Sequence, residues 1–359
     1  MTIIYFLIII AVIIAVHEFG HMLAAKIFGC YVTEYAIGFG PTILSKQGKE
    51  TKYSLRLIPL GGFTGIVENE NTPLKFDQQG NPTEFLTVPK ERTLYGISTW
   101  KRIIVFLAGP LMNLLLAIGV FILTFQVNGY IVDSPKPIIG TVTVASPAAE
   151  AGLLAGDEII GITLKDGNKY VPATFQDVVM KIGNYTDPIT FTIRRSGQES
   201  EVVVTPKYDE SLKRSIIGIT SIEPEVRELN FLSAIPVGIE YAFLTIKMTF
   251  EAIIGLFTGA TGLDSLGGTI SMYRYTEEAA SYGLASLLSL MGSLSVSIGI
   301  MNLIPITIFD GGRIVQAIIE KIIGHRFSEK TEALITYIGL GLVFMLFIFV
   351  TYQDILKLL

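Results

Sequence analysis

The segment His17-Glu18-Phe19-Gly20-His21 sets two imidazoles four positions apart with a carboxylate between them. On a helix, residues four apart share a face, so both rings can reach one ion. Glu18 is then close enough to act as a general base on a water beside that ion. The chain has three histidines, and two of them lie here, inside an otherwise apolar stretch. Ionisable groups at membrane depth are costly and usually functional. A polar patch at a helix end facing water is the plainer alternative. A hydrolytic zinc site needs a third protein ligand and one open position. Met301-Asn302-Leu303-Ile304-Pro305, followed by Asp310-Gly311-Gly312, offers the best candidate. Pro305 breaks a helix, and the paired glycines let the backbone turn beside the Asp310 carboxylate. A lone carboxylate in an apolar stretch is unfavourable unless a cation compensates it. Equally, Asp310 can cap a helix that begins at Gly311. The local sequence leaves both readings open.

These residues must be held by elements that suit lipid. The chain has 359 residues, half of them hydrophobic and only 16% charged. A soluble protein of this length would carry more surface charge. Four segments are near the ~20 residues needed to cross hydrocarbon: Ile3 to Phe28, Ile103 to Val127, Leu284 to Leu303, and Ala333 to Tyr352. The first lacks the basic start and cleavage site of a signal peptide. A further apolar stretch, Phe231 to Phe257, carries Glu240, Lys247 and Glu251 and reads as an amphipathic helix against the membrane or the bundle. Lys26, Lys46, Lys49, Lys52, Arg56, Lys101 and Arg102 cluster between the first two spans, and Arg313, Lys321, Arg326 and Lys330 between the last two. Those loops are expected in the cytoplasm, with the chain ends and the region between spans two and three outside. The net charge of −5 gives no reason to expect a nucleic-acid partner. The single cysteine, Cys30, can build neither an internal disulfide nor a thiolate zinc site and reads as a small apolar residue. His325, between Gly324 and Arg326, reads as a surface residue.

Between the first two spans, Gly38–Pro41 and Leu57–Phe63 are glycine-rich and apolar at once, with a short strand expected at Thr51–Leu57. This pattern predicts β-hairpins tucked into protein at membrane depth, where irregular backbone must be shielded. Asn71 to Pro89 is polar and reads as a mobile loop. From Pro135 to about Lys207 the chain changes to short β-branched runs, at Ile138–Val144, Glu158–Leu164, Ile189–Ile193 and Glu201–Thr205, with a helix at Thr174–Ile182. That is a small α+β domain. The expected divisions are 1–28, 29–100, 101–129, 135–207, 215–280 (linker and amphipathic helix), 284–312 and 333–357.

The HEFGH segment in a first span, Asn302-x-x-Pro305 leading to Asp310-Gly311, and Ser146–Ile160 between them together resemble the site-2 protease family, in its bacterial single-PDZ form. Gly38–Pro41, Pro59–Phe63 and Leu107-Ala108-Gly109-Pro110…Asn113 match as well. The resemblance implies a four-span helical bundle with membrane-associated hairpins and one extracytoplasmic α+β PDZ domain. It implies Zn2+ held by His17, His21 and Asp310, with Glu18 as catalytic base. Asn302 resembles a family asparagine that holds substrate. Pro59, Gly61, Gly62 and Phe63 match a hairpin that pairs with an unwinding substrate, and Asn113 lies in the matching second-span motif. The implied substrates are single-span proteins in the bacterial inner membrane, already shortened outside, such as anti-sigma factors or remnant signal peptides. The site would face the cytoplasm. The PDZ domain would bind a peptide near Ile138–Val144 and Thr174–Ile182 or act only as a size filter. Thr307, Phe309, Gly267-Gly268 and Thr64-Gly65 depart from the common family pattern, which bears on loop shape and substrate preference. Two other classes stay on the page: a membrane scaffold with a disused site, and a metal-ion transporter. Intact His17, Glu18, His21 and Asp310 weigh against the first, and the glutamate between the histidines against the second.

Overall fold

A computed structural model describes residues 1–76, 82–183, 185–210, 214–260, 262 and 266–357. The first helix, α1 (Thr2–Ile27), is rich in isoleucine and valine. In lipid such residues still form helix, because the backbone can satisfy its polar groups only within the segment. Its last turn carries Lys26, whose cation suits the negative end of the helix dipole. Two strands follow, β1 (Val32–Gln47) and β2 (Lys52–Ile66). They are far longer than the short strand expected at Thr51–Leu57. Both bend, so that Glu34–Ile37 faces Lys52–Leu55 on one side and Gly62–Gly65 on the other, while Leu44–Gln47 also faces Lys52–Leu55. Gly62–Ile66 therefore forms an outer edge, with no second strand paired to it among the described residues. The hairpin is tied to α1 by Tyr35 Oη donating to Ala15 O (2.8 Å) and Thr64 Oγ1 donating to Glu18 O (2.9 Å).

The Asn71–Pro89 stretch, which reads from sequence as a mobile loop, carries a hairpin. Among its described residues it pairs as β3 (Asn71–Phe76) with β4 (Pro82–Thr87); residues 77–81 lie outside the described set. Backbone pairing across the hairpin satisfies polar groups that a free loop would leave to water. The long helix α2 (Thr99–Asn128) follows. Met22, Ala25, Cys30, Val32, Leu94 and Val105 form one core cluster between α1, β1 and α2, with Cys30 buried as expected.

Residues 129–229 form a compact unit of their own, wider than the expected 135–207. Its elements are β5 (Tyr130–Val132), β6 (Ile139–Val142), α3 (Pro147–Glu150), β7 (Glu158–Thr163), β8 (Lys169–Tyr170), α4 (Phe175–Ile182), β9 (Ile189–Arg195), β10 (Gln198–Val204), β11 (Lys207–Asp209), β12 (Arg214–Ile216), β13 (Ile219–Ser221) and β14 (Val226–Glu228). A sheet in the order β10-β9-β7-β8 packs on α4, with Ile159, Ile189, Phe191, Ile193 and Val178 in its core. Thr174 caps α4 in a reciprocal box with Asp177. The extra width has a simple cause: β14 pairs with β5 and β13 with β6, so the start of the expected 215–280 linker belongs to this unit. β6 is bonded to β13, and Ile139 at its start also exchanges hydrogen bonds with Gly156 and Asp157.

The chain then returns through α5 (Ala234–Thr258), α6 (Thr269–Tyr282), α7 (Leu284–Met301), α8 (Asp310–Ile323) and α9 (Glu329–Leu356). Among the described residues, four helices are long and apolar enough to cross a membrane: α1, α2, α7 and the Lys330–Leu356 part of α9. This matches the four expected spans. The charged helix α5 packs on α2 and α7, with Ala117, Phe121, Ala242, Val296 and Ile300 as their shared core. The expected 284–312 segment is broken as Pro305 requires, into α7 and α8.

Candidate metal centre

The i, i+4 spacing on α1 brings His17 and His21 edge to face, with ring centroids 4.8 Å apart and an interplanar angle of 83°. Both residues are buried, at 9% and 8% exposed. Their Nε2 atoms lie 3.2 Å apart. The other ring nitrogen of each is held by α2. His21 Nδ1 donates to Val105 O at 2.8 Å. His17 Nδ1 lies 3.3 Å from the Asn113 side-chain amide, whose Oδ1 is buried without a partner as oriented. Amide orientation is assigned from the hydrogen-bond network. Turning this one lets Oδ1 accept from His17 Nδ1–H. Each imidazole then presents a bare Nε2 lone pair, the tautomer that metal-ligating histidines need.

Between those contacts α2 offers Gly109. A Cβ there would fall 2.3 Å from His21 Nε2 and 2.9 Å from His17 Cε1. Val105, Gly109 and Asn113 are four apart and share one face of α2, so one stripe supports both rings.

Asp310 opens α8, with Phe309 as the N-cap residue. The capping alternative is not what the geometry gives: Asp310 Oδ2 is buried and without a hydrogen-bond partner. It points at the histidines, 3.2 Å from His17 Nε2 and 3.3 Å from His21 Nε2. The turn that delivers it needs Gly311 and Gly312. A Cβ at either would meet the carbonyls of Leu303 or Ile306 at 2.2 and 2.3 Å, and Gly311 N–H donates to Asn302 O at 2.7 Å. Three lone pairs thus converge in a site closed to most water, which is unfavourable unless a cation sits among them. A tetrahedral zinc ion with bonds of about 2.0–2.1 Å spaces its ligand atoms by roughly 3.3–3.4 Å. The observed triangle of 3.2, 3.2 and 3.3 Å fits that ion. Three ligands also leave the fourth position open, as a catalytic site requires.

The other expected residues fall as follows. Glu18 is half-buried on α1, next to His17, and its side chain faces Gly62 of β2, where a Cβ would lie 3.3 Å from Glu18 Cγ. Pro59, Gly61, Gly62 and Phe63 all lie on β2; Gly61 sits against the Phe39 ring, and the Arg56 guanidinium stacks 4.9 Å from the Phe63 ring. Asn302 caps α7, and its side-chain amide donates to Ile298 O at 3.0 Å on that helix. His325 is exposed, as expected. Residues not expected at the site are Val105, Gly109, Thr64 and Tyr35. Burial first, and then the Glu18 charge, push the Tyr35 hydroxyl up to about 12, so it stays a neutral donor to Ala15 O.

Comparison with known proteins decides the family. The family described as Peptidase family M50 matches residues 5–346. The chain belongs to that family. The M50 protease is also similar along its whole length to curated bacterial proteins. The Enterococcus faecalis protein named "Probable protease eep" is 31% identical over 99% of this chain and 98% of its own. The zinc metalloprotease RasP of Geobacillus kaustophilus is 29% identical, covering 99% and 98%. The regulator of sigma-W protease RasP of Bacillus subtilis is 29% identical, covering 99% of both chains. The PDZ domain of an SdrC-like protein from Listeria monocytogenes aligns to 26% of this chain and 93% of its own, at 23% identity and a TM-score of 0.21. The M50 protease is therefore a zinc metalloprotease, with four helices among its described residues able to span a membrane.

Proposed function

We propose that the protein hydrolyses peptide bonds within the membrane-spanning segments of other proteins, with zinc held by His17, His21 and Asp310 and with Glu18 as general base. The observation that carries this reading is the triangle of bare ligand atoms, 3.2 to 3.3 Å on a side, built on helices apolar enough to lie in lipid. Zinc, when bound, supplies Lewis acidity that polarises the attacked carbonyl and makes a water acidic near neutral pH. Glu18 takes that water's proton and delivers it to the leaving amide nitrogen. Asn113 and the Val105 carbonyl hold the two imidazoles in the tautomer that leaves Nε2 free.

A transmembrane helix hides its amides in its own hydrogen bonds, so the substrate must unwind first. The open Gly62–Ile66 edge lies beside Glu18 and offers backbone donors and acceptors to an extended segment. Pro59, Gly61, Gly62 and Phe63 shape that edge, and Asn302 steadies the substrate from the α7–α8 turn. The substrates are single-span bacterial membrane proteins already shortened outside, such as anti-sigma factors and remnant signal peptides. The lysine and arginine distribution supports a site toward the cytoplasm, with residues 129–229 outside the inner membrane as a PDZ domain. A peptide bound there would lie near Ile138–Val144 and Thr174–Ile182.

The test is cleavage of a tagged model transmembrane substrate by the purified protein in detergent. Glu18→Gln abolishes cleavage while zinc stays near one per chain; unchanged cleavage in that variant sinks Glu18 as the base. Asp310→Asn lowers zinc content; full retention removes Asp310 from the ligand set.

A further inference from the structure

Twelve to fifteen ångströms is roughly the rise of eight to ten helical residues, and over that length α8 lies along α2 with polar attachments near both of its ends. At its start, Asp310 meets the histidines. Three turns on, Glu320 meets Arg102 of α2 at 2.9 Å, with side chains only 3% and 8% exposed. Arg102 stands on the same face of α2 as Val105, Gly109 and Asn113, three or four positions apart. Asp310, Arg313, Ala317 and Glu320 follow the same spacing on α8. The two helices thus meet along matched faces, fixed at one end by the candidate metal centre and at the other by a buried ion pair.

The pair is further enclosed. Glu320 Oε1 accepts from Phe327 N–H and from Gln316, which also donates to Glu332. The Tyr95 ring has the guanidinium of Arg102 at 4.9 Å and that of Arg326 at 3.4 Å. Arg326 in turn donates to Asn69. The start of α2, the Glu68–Tyr95 stretch, α8 and the α8–α9 link all converge on this one cluster. Buried ion pairs contribute little net stability, and their best-attested use is to fix one geometry among several.

We propose that Arg102 and Glu320 are positioning residues for the third metal ligand: they set the rotation of α8 on α2 and thereby place Asp310 against His17 and His21. This rests on Asp310 being a ligand. The sensitivity follows from helix dimensions. A carboxylate about 6 Å from the helix axis moves about 1 Å when the helix rotates about 10°. Metal–ligand distances tolerate only about 0.2 Å. Loss of a supporting contact around a metal ligand lowers affinity about 10- to 100-fold.

The experiment measures zinc affinity of the full chain in detergent by competition with a chelator, alongside thermal unfolding. Glu320→Gln strands a buried arginine and can fail to fold, so the main variant is the double Arg102→Met/Glu320→Met, which fills the space with apolar side chains. The expected result is a melting temperature near that of the unaltered protein, zinc affinity lowered at least tenfold, and cleavage restored by raising free zinc. A double variant that folds and binds zinc within twofold of the unaltered protein overturns the proposal. Asp310→Asn serves as reference. If it loses zinc while the double variant does not, only the positioning role fails. If it keeps zinc, the ligand assignment fails and the positioning role with it.

Discussion

Gly109→Ala tests the packing of the candidate centre with one methyl group. The added Cβ would lie 2.3 Å from His21 Nε2, 2.6 Å from its Cε1 and 2.9 Å from His17 Cε1. Ordinary carbon contacts are about 3.5–4.0 Å, so the His21 ring must retreat by about 1 Å. That is several times the roughly 0.2 Å that metal–ligand distances tolerate. Zinc affinity should fall about 100-fold, equivalent to about 2.7 kcal/mol. The fold should survive. Overpacking costs about 1–3 kcal/mol, and replacing glycine by alanine inside a helix returns about 1 kcal/mol. Gly119→Ala is the matched control, because that glycine lies on the same helix with open space where its Cβ would go. The assay is zinc competition against a fluorescent chelator on detergent-purified protein, with circular dichroism to verify helix content. Gly109→Ala protein that is folded and binds zinc within threefold of Gly119→Ala would refute the claim that α2 sets the ring positions.

Three further outcomes are expected. Asn113→Ala should weaken zinc binding about 10- to 100-fold, because His17 loses the group that fixes its tautomer; wild-type affinity counts against the turned amide. Asp354 of α9 accepts from Gly268 N–H, Ser271 N–H and Ser271 Oγ at the start of α6. Asp354→Ala should therefore cost about 1 kcal/mol and raise hydrogen exchange at the first turn of α6, and unchanged exchange there argues against the cap. In the 129–229 unit, burial pushes the Asp157 carboxyl up, but hydrogen bonds from Arg195 and from Leu154 N–H outweigh it and hold it below the usual carboxylate range. A depressed folded-state pKa stabilises above the unfolded value of about 3.9 and is lost as pH falls through the folded value. Acid unfolding of this unit should thus steepen below about pH 4, and Asp157→Asn should flatten the profile; identical acid profiles exclude the pair as the cause.

The sequence made the spans and the histidine pair legible because both are local signals, one in hydropathy and one in a four-residue spacing. Asp310 stood between ligand and helix cap until its Oδ2 was seen to face two nitrogens rather than a backbone N–H. Long-range pairing was not legible. Nothing near Val32 announces that its strand will bend and face two other segments, since Gly38 to Pro41 reads locally as a turn. β13 and β6 lie some eighty residues apart in the chain, so the width of the 129–229 unit was hidden too. Arg102 and Glu320, 218 positions apart, each look like ordinary interfacial charges. The stripe of Arg102, Val105, Gly109 and Asn113 does have helical spacing, and Gly109 and Asn113 stood in a recognised motif. Only the rings of α1 show what that stripe is for.

The order of the ligands along the chain has a consequence for biosynthesis. Asp310 leaves the ribosome 289 positions after His21. At about 5–20 residues per second, that gap lasts roughly 15–60 s. On the ligand set proposed above, the two imidazoles wait through that interval without their third partner, and the centre is complete only once Asp310 has been made.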